Sequence, residues 1–233
     1  MNRILFEPEE IADGVATFGG ARAEHVVNVL HGEVGQVLKT GVVNGLAGTG
    51  EILSICPGRV TVRVTHDAEP PPPWIDLLLA PPRPRVMKRL LPQLAAMGVG
   101  RIVLAGAAKV EKAFWGATLL RPEVYRPLLV DGLMQAGTTA LPAIETARNF
   151  RRWVRDSLDA EFPSACRLIA HPYGAHTGGA RPSGRPLLAV GPEGGWTDEE
   201  VEMLEGRGFA RYSLGPRILR TDTAVISLIA RLM

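Results

Sequence analysis

Two short segments near the C-terminal end of the chain have the composition of ligand-binding loops. The first reads GPEGGW at 191–196 and the second reads GPRILR at 215–220. Glycines let backbone amides and carbonyls approach a ligand closely. A phosphate-binding loop is disfavoured, because no G-x-x-x-x-G-K-[ST] pattern occurs and Glu193 would repel phosphate. The segments therefore predict a binding site for a ligand other than a simple phosphate.

Each segment is predicted to join a short apolar strand to a helix. The strands are expected at Pro186–Val190 and Ala210–Leu214, and the helices at Thr197–Arg207 and Thr221–Met233. Thr197 and Glu200 match a capping box, and Thr221 is the candidate N-cap of the last helix. Ligands of open α/β sheets bind beyond the carboxyl ends of the strands. Gly-Pro after a strand is also a common turn, so only the repetition of the pattern is specific.

The sequence around these segments alternates strands with helices. Further strands are expected at Trp74–Ala80, Arg101–Ala105 and Arg167–Ala170, and further helices at Arg85–Met97, Glu123–Gln135 and Asn149–Leu158. This alternation is typical of the α/β class, with a mostly parallel sheet covered on both faces.

Four consecutive prolines at 70–73 interrupt the chain and favour a stiff, extended spacer. Before them, short strands are predicted at Arg3–Phe6, Val34–Lys39, Gly50–Ile55 and Arg59–His66, and one helix at Ala21–Leu30. We therefore expect a small β-barrel domain at 1–68, a proline linker at 69–73 and an α/β domain at 74–233.

Composition sets limits on the class of protein. The 233 residues are 46% hydrophobic and 21% charged, as in ordinary globular proteins, and no apolar run is long enough to cross a membrane. The acidic N-terminus lacks the features of a secretory signal, so a cytoplasmic protein is expected. Cys56 and Cys166 lie far apart, and His171 and His176 do not follow a zinc-ligand spacing, so neither a disulfide nor a metal is expected. Residues 1–68 carry five basic and eight acidic side chains, against 21 and 16 in residues 69–233. Attraction to a polyanion is therefore expected from the C-terminal part.

Three segments together resemble a known enzyme family. LAVGPEGGWTDEE at 188–200, SLGPRILRTDTA at 213–224 and AHP at 170–172 are similar to signatures of the 16S rRNA (uracil-N3)-methyltransferases of the SPOUT superfamily. The resemblance implies a PUA-like β-barrel, a candidate RNA-binding domain, followed by an α/β domain with a deep trefoil knot. It also implies a homodimer, S-adenosylmethionine as the methyl donor and RNA of the small ribosomal subunit as the partner.

The resemblance also implies roles for individual residues. The cofactor would be enclosed by His171, Gly191, Pro192, Glu193, Gly194, Gly195, Leu214, Gly215, Ile218, Leu219, Arg220 and Thr223. The uracil nitrogen must lose a proton, which requires a base or a cation that stabilises the developing anion. Arg220 is the candidate cation, and Asp222 or Glu193 is the candidate proton acceptor. The alternative for Arg220 is a salt bridge to Asp222 or to an acidic neighbour, and the alternative for Asp222 is a first-turn carboxylate that is favoured by the helix dipole.

The chain departs from the family pattern mainly by losing charged side chains. Asp222 stands where the family usually has Glu. Uncharged residues, Gln93, Ala96, Met134 and Thr138, stand in the two motifs where the family has charged side chains. His31 stands where the family has an arginine. The basic residues that remain as candidate RNA contacts are Arg85, Lys88, Arg89, Arg151, Arg155 and Arg185, with Arg181 nearby. A solvated basic surface would explain these residues equally well.

Three hypotheses for function follow. The first is an active methyltransferase that modifies N3 of a uridine in 16S rRNA. The second is a methyltransferase for a different RNA. The third is a catalytically silent paralogue that binds RNA or a ribosomal particle. The complete cofactor loops favour an enzyme, whereas the lost charges favour the silent paralogue.

Overall fold

The proline run lies close to the division between two compact units. The computed structural model describes residues 1–163, 165–173 and 184–233, so His176 and Arg181 lie outside the described residues. Residues 1–72 and 127–141 form the first unit, and residues 73–126 and 142–233 form the second. Within the described parts of both units, no helix is long and apolar enough to cross a bilayer.

The sheet of the first unit is open. Its strands are β1 (Ile4–Phe6), β2 (Ile11–Ala12), β3 (Val15–Gly19), β4 (Val37–Val42), β5 (Ala47–Cys56) and β6 (Arg59–Ala68). They lie in the order β1-β4-β5-β6-β3-β2, with β1 and β4 parallel and the other pairs antiparallel. In residues 1–72, all of which are described, the ladder ends at β1 and β2. Backbone pairing therefore does not close the barrel that the sequence pattern predicts.

Two predicted elements of this unit differ from the observed ones. The strand predicted at Val34–Lys39 begins only at Val37, because Gly35 has a φ of +87° in a turn that precedes it. The helix predicted at Ala21–Leu30 consists of α1 (Gly20–Glu24) and a wider π-helical turn at His25–Val29. The short strands β2 and β3 were not predicted at all.

An arginine packs against two aromatic rings in the core of the first unit. The rings of Phe6 and Phe18 lie 5.5 Å apart, and the guanidinium of Arg22 is 5.7 and 5.6 Å from their centroids. Its Nη1 and Nη2 donate to the Glu10 carboxylate, and this hydrogen bonding lowers the pKa of the Glu10 carboxyl. The long arginine stem thus covers aromatic surface while its charge remains paired.

Residues 127–141 are attached to the rest of the first unit by backbone and side-chain hydrogen bonds. The amides of Asn2 and Arg3 donate to the carbonyl of Met134 at 2.9 and 3.1 Å. The Arg3 side chain donates to the carbonyl of Gly137 at 3.0 Å, and the amide of Leu141 donates to Asn44 Oδ1 at 2.8 Å. These bonds explain why a segment so distant in sequence belongs to this unit.

The sheet of the second unit is entirely parallel in its described part. Its strands are β7 (Ile75–Leu79), β8 (Val99–Ala105), β9 (Ala143–Ala147), β10 (Arg167–Ala170), β11 (Leu187–Val190) and β12 (Ala210–Tyr212). The order is β12-β10-β11-β7-β8-β9. Every residue of β7 and β11 is buried. Successive side chains point to opposite faces, so both faces of these strands are covered, as predicted.

The helices match the predicted positions with small changes at their ends. They are α2 (Pro84–Ala96), α3 (Pro122–Ala136), α4 (Phe150–Asp156), α5 (Leu158–Glu161), α6 (Asp198–Glu205) and α7 (Thr221–Leu232). The predicted helix at Asn149–Leu158 ends at Asp156, and α5 follows as a separate turn. Strand β9 was missed because it is a partly exposed strand at the edge of the sheet, without a continuous apolar run.

Candidate active site

Three neighbouring strands of the second unit end at one side of a cavity. Strand β10 lies between β12 and β11, and all three run parallel, so their carboxyl ends meet at one edge of the sheet. The segments that follow them enclose a cavity of about 370 Å³. Its walls comprise Ala170, His171, Pro172, Tyr173, Val190, Gly191, Pro192, Glu193, Gly194, Gly195, Trp196, Tyr212, Leu214, Gly215, Arg217, Ile218, Leu219, Thr221, Ala224 and Leu228.

The segment at 191–196 is a tight turn that packs on its own tryptophan. The amide of Gly195 donates to the carbonyl of Pro192 at 2.8 Å, and Gly195 has a φ of +68°. Trp196 is buried and stacks on Phe150 with the ring centroids 5.4 Å apart. A Cβ at Gly191 would lie 3.1 Å from the Trp196 amide nitrogen. Glycine is therefore favoured at 191 by close packing and at 195 by backbone conformation.

Helix α6 begins with the predicted capping box. The Thr197 amide donates to Glu200 Oε2 at 2.9 Å, and the Glu200 amide donates to Thr197 Oγ1 at 3.3 Å. Thr197 is the N-cap, so the helix begins one residue later than predicted. This reciprocal pair fixes the point at which the glycine-rich segment ends.

The segment after β12 is tied to the segment after β10. The buried hydroxyl of Ser213 donates to the carbonyl of Pro172 at 3.0 Å and accepts from the Gly215 amide at 3.1 Å. Gly215 has a φ of +107°, which an L-residue rarely adopts. Farther along, Ile218 and Leu219 are exposed at the edge of the cavity.

His171 lies in the cavity wall as a hydrogen-bond acceptor. Its backbone amide donates to the Tyr212 carbonyl at 3.1 Å, and Nδ1 accepts from the Tyr173 amide at 3.2 Å. Burial lowers the pKa of this imidazole, and the nearby Arg211 lowers it further. A neutral ring is consistent with its accepting role.

The three predicted catalytic residues occupy different places. Glu193 lies in the cavity wall, and its Oε1 accepts from the Arg83 amide at 3.2 Å. Asp222 Oδ2 accepts from Arg89 Nη2 at 3.3 Å, and Oδ1 accepts from the Thr223 amide at 3.0 Å. Arg220 is exposed, and within the described residues its side chain forms no ion pair. The alternative of an Arg220 salt bridge to Asp222 or to an acidic neighbour is therefore wrong for the described residues, where Asp222 pairs with Arg89.

The structure brings most of the predicted cofactor residues together. Ten of the twelve lie in the cavity wall, whereas Arg220 and Thr223 do not. Arg220, and not Thr221, is the N-cap of α7, and Thr221 is its buried first residue. The residues that also line the cavity but were not predicted as cofactor contacts are Ala170, Pro172, Tyr173, Val190, Trp196, Tyr212, Arg217, Thr221, Ala224 and Leu228. Most of these lie inside the quoted motifs, so only their inward orientation was hidden from the sequence.

Comparison with known proteins decides the family. A family model described as an RNA methyltransferase domain matches residues 69–233. The chain belongs to this family. A Treponema pallidum protein named Ribosomal RNA small subunit methyltransferase E is 31% identical over 243 residues, covering 99% of this chain and 90% of the relative.

Two solved structures are similar over nearly the whole chain. A Ribosomal RNA small subunit methyltransferase E from Neisseria gonorrhoeae, bound to S-adenosyl methionine, has 26% identity and a TM-score of 0.73, with 99% of this chain and 95% of that chain covered. A putative methyltransferase from Legionella pneumophila, in complex with the same cofactor, has 25% identity and a TM-score of 0.75, with coverage of 99% and 96%.

The basic residues predicted to contact RNA are not equivalent in this RNA methyltransferase fold. Arg85, Lys88 and Arg89 are exposed on α2, at the spacing of one helix face. Arg151 pairs with Glu199, Arg155 pairs with Asp156, and Arg185 pairs with the buried Asp76. In the described part of the chain, Arg85 and Lys88 form no ion pair, which leaves them available to a polyanion.

No metal centre accompanies the cavity in the described part of the chain. There, no three His, Cys, Asp or Glu side chains are grouped so that they could hold a metal ion.

Proposed function

We propose that this protein transfers a methyl group from S-adenosylmethionine to N3 of a uridine in 16S ribosomal RNA. The observation that carries the proposal is the cavity itself. Three loops at the carboxyl ends of β10, β11 and β12 enclose it. Proteins with this fold that bind S-adenosyl methionine are similar to the chain over 99% of its length.

The cavity wall suits this cofactor. Its volume of about 370 Å³ lies within the usual range for small-molecule sites. Apolar side chains such as Leu214, Ile218 and Leu228 suit an adenine ring, and Glu193 would hold the positive sulfonium. The indole nitrogen of buried Trp196 has no hydrogen-bond partner in the described structure, which leaves one donor for a polar group. When bound, the cofactor supplies an electrophilic methyl group.

The protein's own residues would align the two reactants and accept the proton that the uracil N3 loses. Alignment of two bound reactants can supply several kcal/mol of the barrier. Asp222, at the first turn of α7, is the proposed proton acceptor for N3 of the uracil. Arg220, the N-cap residue of α7, is the proposed cation. It would stabilise the uracil anion that forms when N3 loses its proton.

The RNA would lie over the basic face of α2. Arg85 and Lys88 are exposed and unpaired in the described structure, and Arg89 contacts Asp222 directly. This arrangement would place phosphate contacts next to the proposed proton acceptor. Residues 1–68 carry a net negative charge, so they would contribute to RNA binding through a surface that fits the shape of the RNA. They would not contribute through neutralisation of phosphates.

Finer features that the family suggests belong to the same proposal. Residues 1–68 would act as a PUA-like domain, joined by a linker at 69–73 to a SPOUT domain at 74–233 with a trefoil knot. The protein would work as a homodimer. Light scattering on the purified chain tests the last point, because a monomeric mass at micromolar concentration would contradict it.

The test of function is labelled methyl transfer. Purified protein is incubated with methyl-labelled S-adenosylmethionine and small ribosomal subunits that lack uridine N3-methylation, and the digested RNA is analysed by nucleoside. Label in N3-methyluridine is the expected result. Label in another nucleoside or another RNA would support the hypothesis of a different substrate. No transfer and no cofactor binding would support the silent paralogue and overturn the proposal.

A further inference from the structure

Lys109 contacts the glycine-rich segment from outside the cavity. It lies in the loop that follows β8, and it is not among the residues that line the cavity. Its Nζ donates to the carbonyl of Gly194 at 2.8 Å and to the carbonyl of Trp196 at 3.4 Å. One ammonium thus bridges two carbonyls of the same turn, using two of its three donors.

The two peptides that Lys109 contacts are also held at their other ends. The Gly194–Gly195 peptide donates through the Gly195 amide to the Pro192 carbonyl at 2.8 Å. The Trp196–Thr197 peptide donates through the Thr197 amide to Glu200 Oε2 at 2.9 Å. Because a peptide unit is planar, bonds at both of its ends fix its orientation.

The neighbours of Lys109 hold the same region. The Ala108 amide donates to Glu200 Oε1 at 2.7 Å, and Glu200 is only 3% exposed. Glu111 accepts from Arg83 Nε at 2.9 Å, and the Arg83 amide donates to Glu193 Oε1 at 3.2 Å. Ala108 and Lys109 therefore contact 193–200 directly, whereas Glu111 is linked to it only through Arg83. Of these three residues, Lys109 contacts the turn at 194–196 itself.

We infer that Lys109 is a positioning residue that orients the cavity wall at 194–197 for the cofactor. The inference rests on the proposed function, since it names a residue that would act on the cofactor through the turn. Without the ammonium, the two carbonyls lose their shared donor and the turn samples other orientations. Binding then becomes weaker, because part of the binding energy must reorder the turn.

Two readouts test the role of Lys109. Isothermal calorimetry compares S-adenosylmethionine affinity for the wild type, Lys109→Met, Lys109→Arg and Lys112→Met. Lys112 is an exposed lysine three positions farther along the chain. Lys109→Met is expected to lose about tenfold in affinity, which corresponds to about 1.4 kcal/mol. Arginine should restore most of the loss, and Lys112→Met should bind like the wild type. Affinity of Lys109→Met within about twofold of the wild type would overturn the inference.

Hydrogen exchange separates this inference from the proposed function. Lys109→Met should speed exchange at the Gly195 and Thr197 amides while leaving the amides of β7 protected, with no cofactor present. If the wild type fails to bind S-adenosylmethionine, the proposed function fails, and exchange alone then decides the role of Lys109. Unchanged exchange at both amides would show that Lys109 does not hold the turn.

Discussion

Arg89 and Asp222 join α2 to the first turn of α7 through one ion pair. Arg89 Nη2 donates to Asp222 Oδ2 at 3.3 Å, and the two side chains are 61% and 27% exposed. A pair this exposed contributes at most about 1 kcal/mol. It can therefore open at little cost, and a phosphate that binds Arg89 would release the carboxylate beside it.

Asp222→Asn tests the proposed proton acceptor. The amide keeps the shape of the side chain and cannot accept a proton at neutral pH, so kcat should fall by about 10²- to 10⁴-fold. The dissociation constant of S-adenosylmethionine should stay unchanged, because Asp222 does not line the cavity. Asp222→Glu serves as the matched control and should retain measurable activity. Single-turnover methyl transfer gives the rates, and full activity of the amide variant would assign Asp222 to helix stabilisation only.

Gly191→Ala tests the packing of the cavity wall. The new Cβ would lie 3.1 Å from the Trp196 amide nitrogen and 3.2 Å from its ring, so the turn or the indole must move. Overpacking of this kind costs about 1–3 kcal/mol, and affinity for S-adenosylmethionine should fall about tenfold or more. Gly116→Ala is the control, since a Cβ there would meet nothing within 4 Å. Equal affinities in calorimetry would remove Gly191 from the site.

The sequence predicted the cavity well because its walls are local. The segment at 191–196 follows β11 directly, and the segment at 215–220 is separated from the end of β12 by two residues. Parallel strands bring their carboxyl ends to one edge. The capping box at Thr197 follows from spacing alone and forms as predicted. Such features depend on neighbours in sequence, which a pattern of residue types can specify.

Features that depend on distant residues could not be predicted in this way. Lys109 reaches a carbonyl 85 positions away, and Arg89 reaches a carboxylate 133 positions away. Residues 127–135 belong to a predicted helix, yet hydrogen bonds from the Asn2 and Arg3 amides to Met134 attach this part of the chain to the first unit. Periodicity carries no information about such partners, because it describes one element at a time.

Arg85 and Lys88 are expected to carry much of the RNA affinity. Neither is paired in the described structure, so changing both to Gln should weaken RNA binding. It should also reduce the slope of log affinity against log salt by about two. Changing Arg151 and Arg155 to Gln removes two exposed charges that are already paired with carboxylates and should have a smaller effect. Filter binding across a salt series measures both slopes, and a larger change in the second pair would move the RNA surface to α4.

His66 should make the first unit less stable in mild acid. Burial, with a smaller effect of Arg3, lowers the pKa of this imidazole from 6.5, and Nε2 lies 2.9 Å from Thr40 Oγ1. The unfolded chain therefore takes up the proton first, so stability is full above 6.5 and falls as the pH drops through the lowered pKa. Arg22 lowers the pKa of the Glu10 carboxyl, so protonation of Glu10 reduces the stability of the unit further only in stronger acid. Exchange of the β5 and β6 amides, corrected for intrinsic rates, should show the loss in the wild type. His66→Gln should flatten it, and equal pH profiles for the two proteins would exclude His66 as the cause.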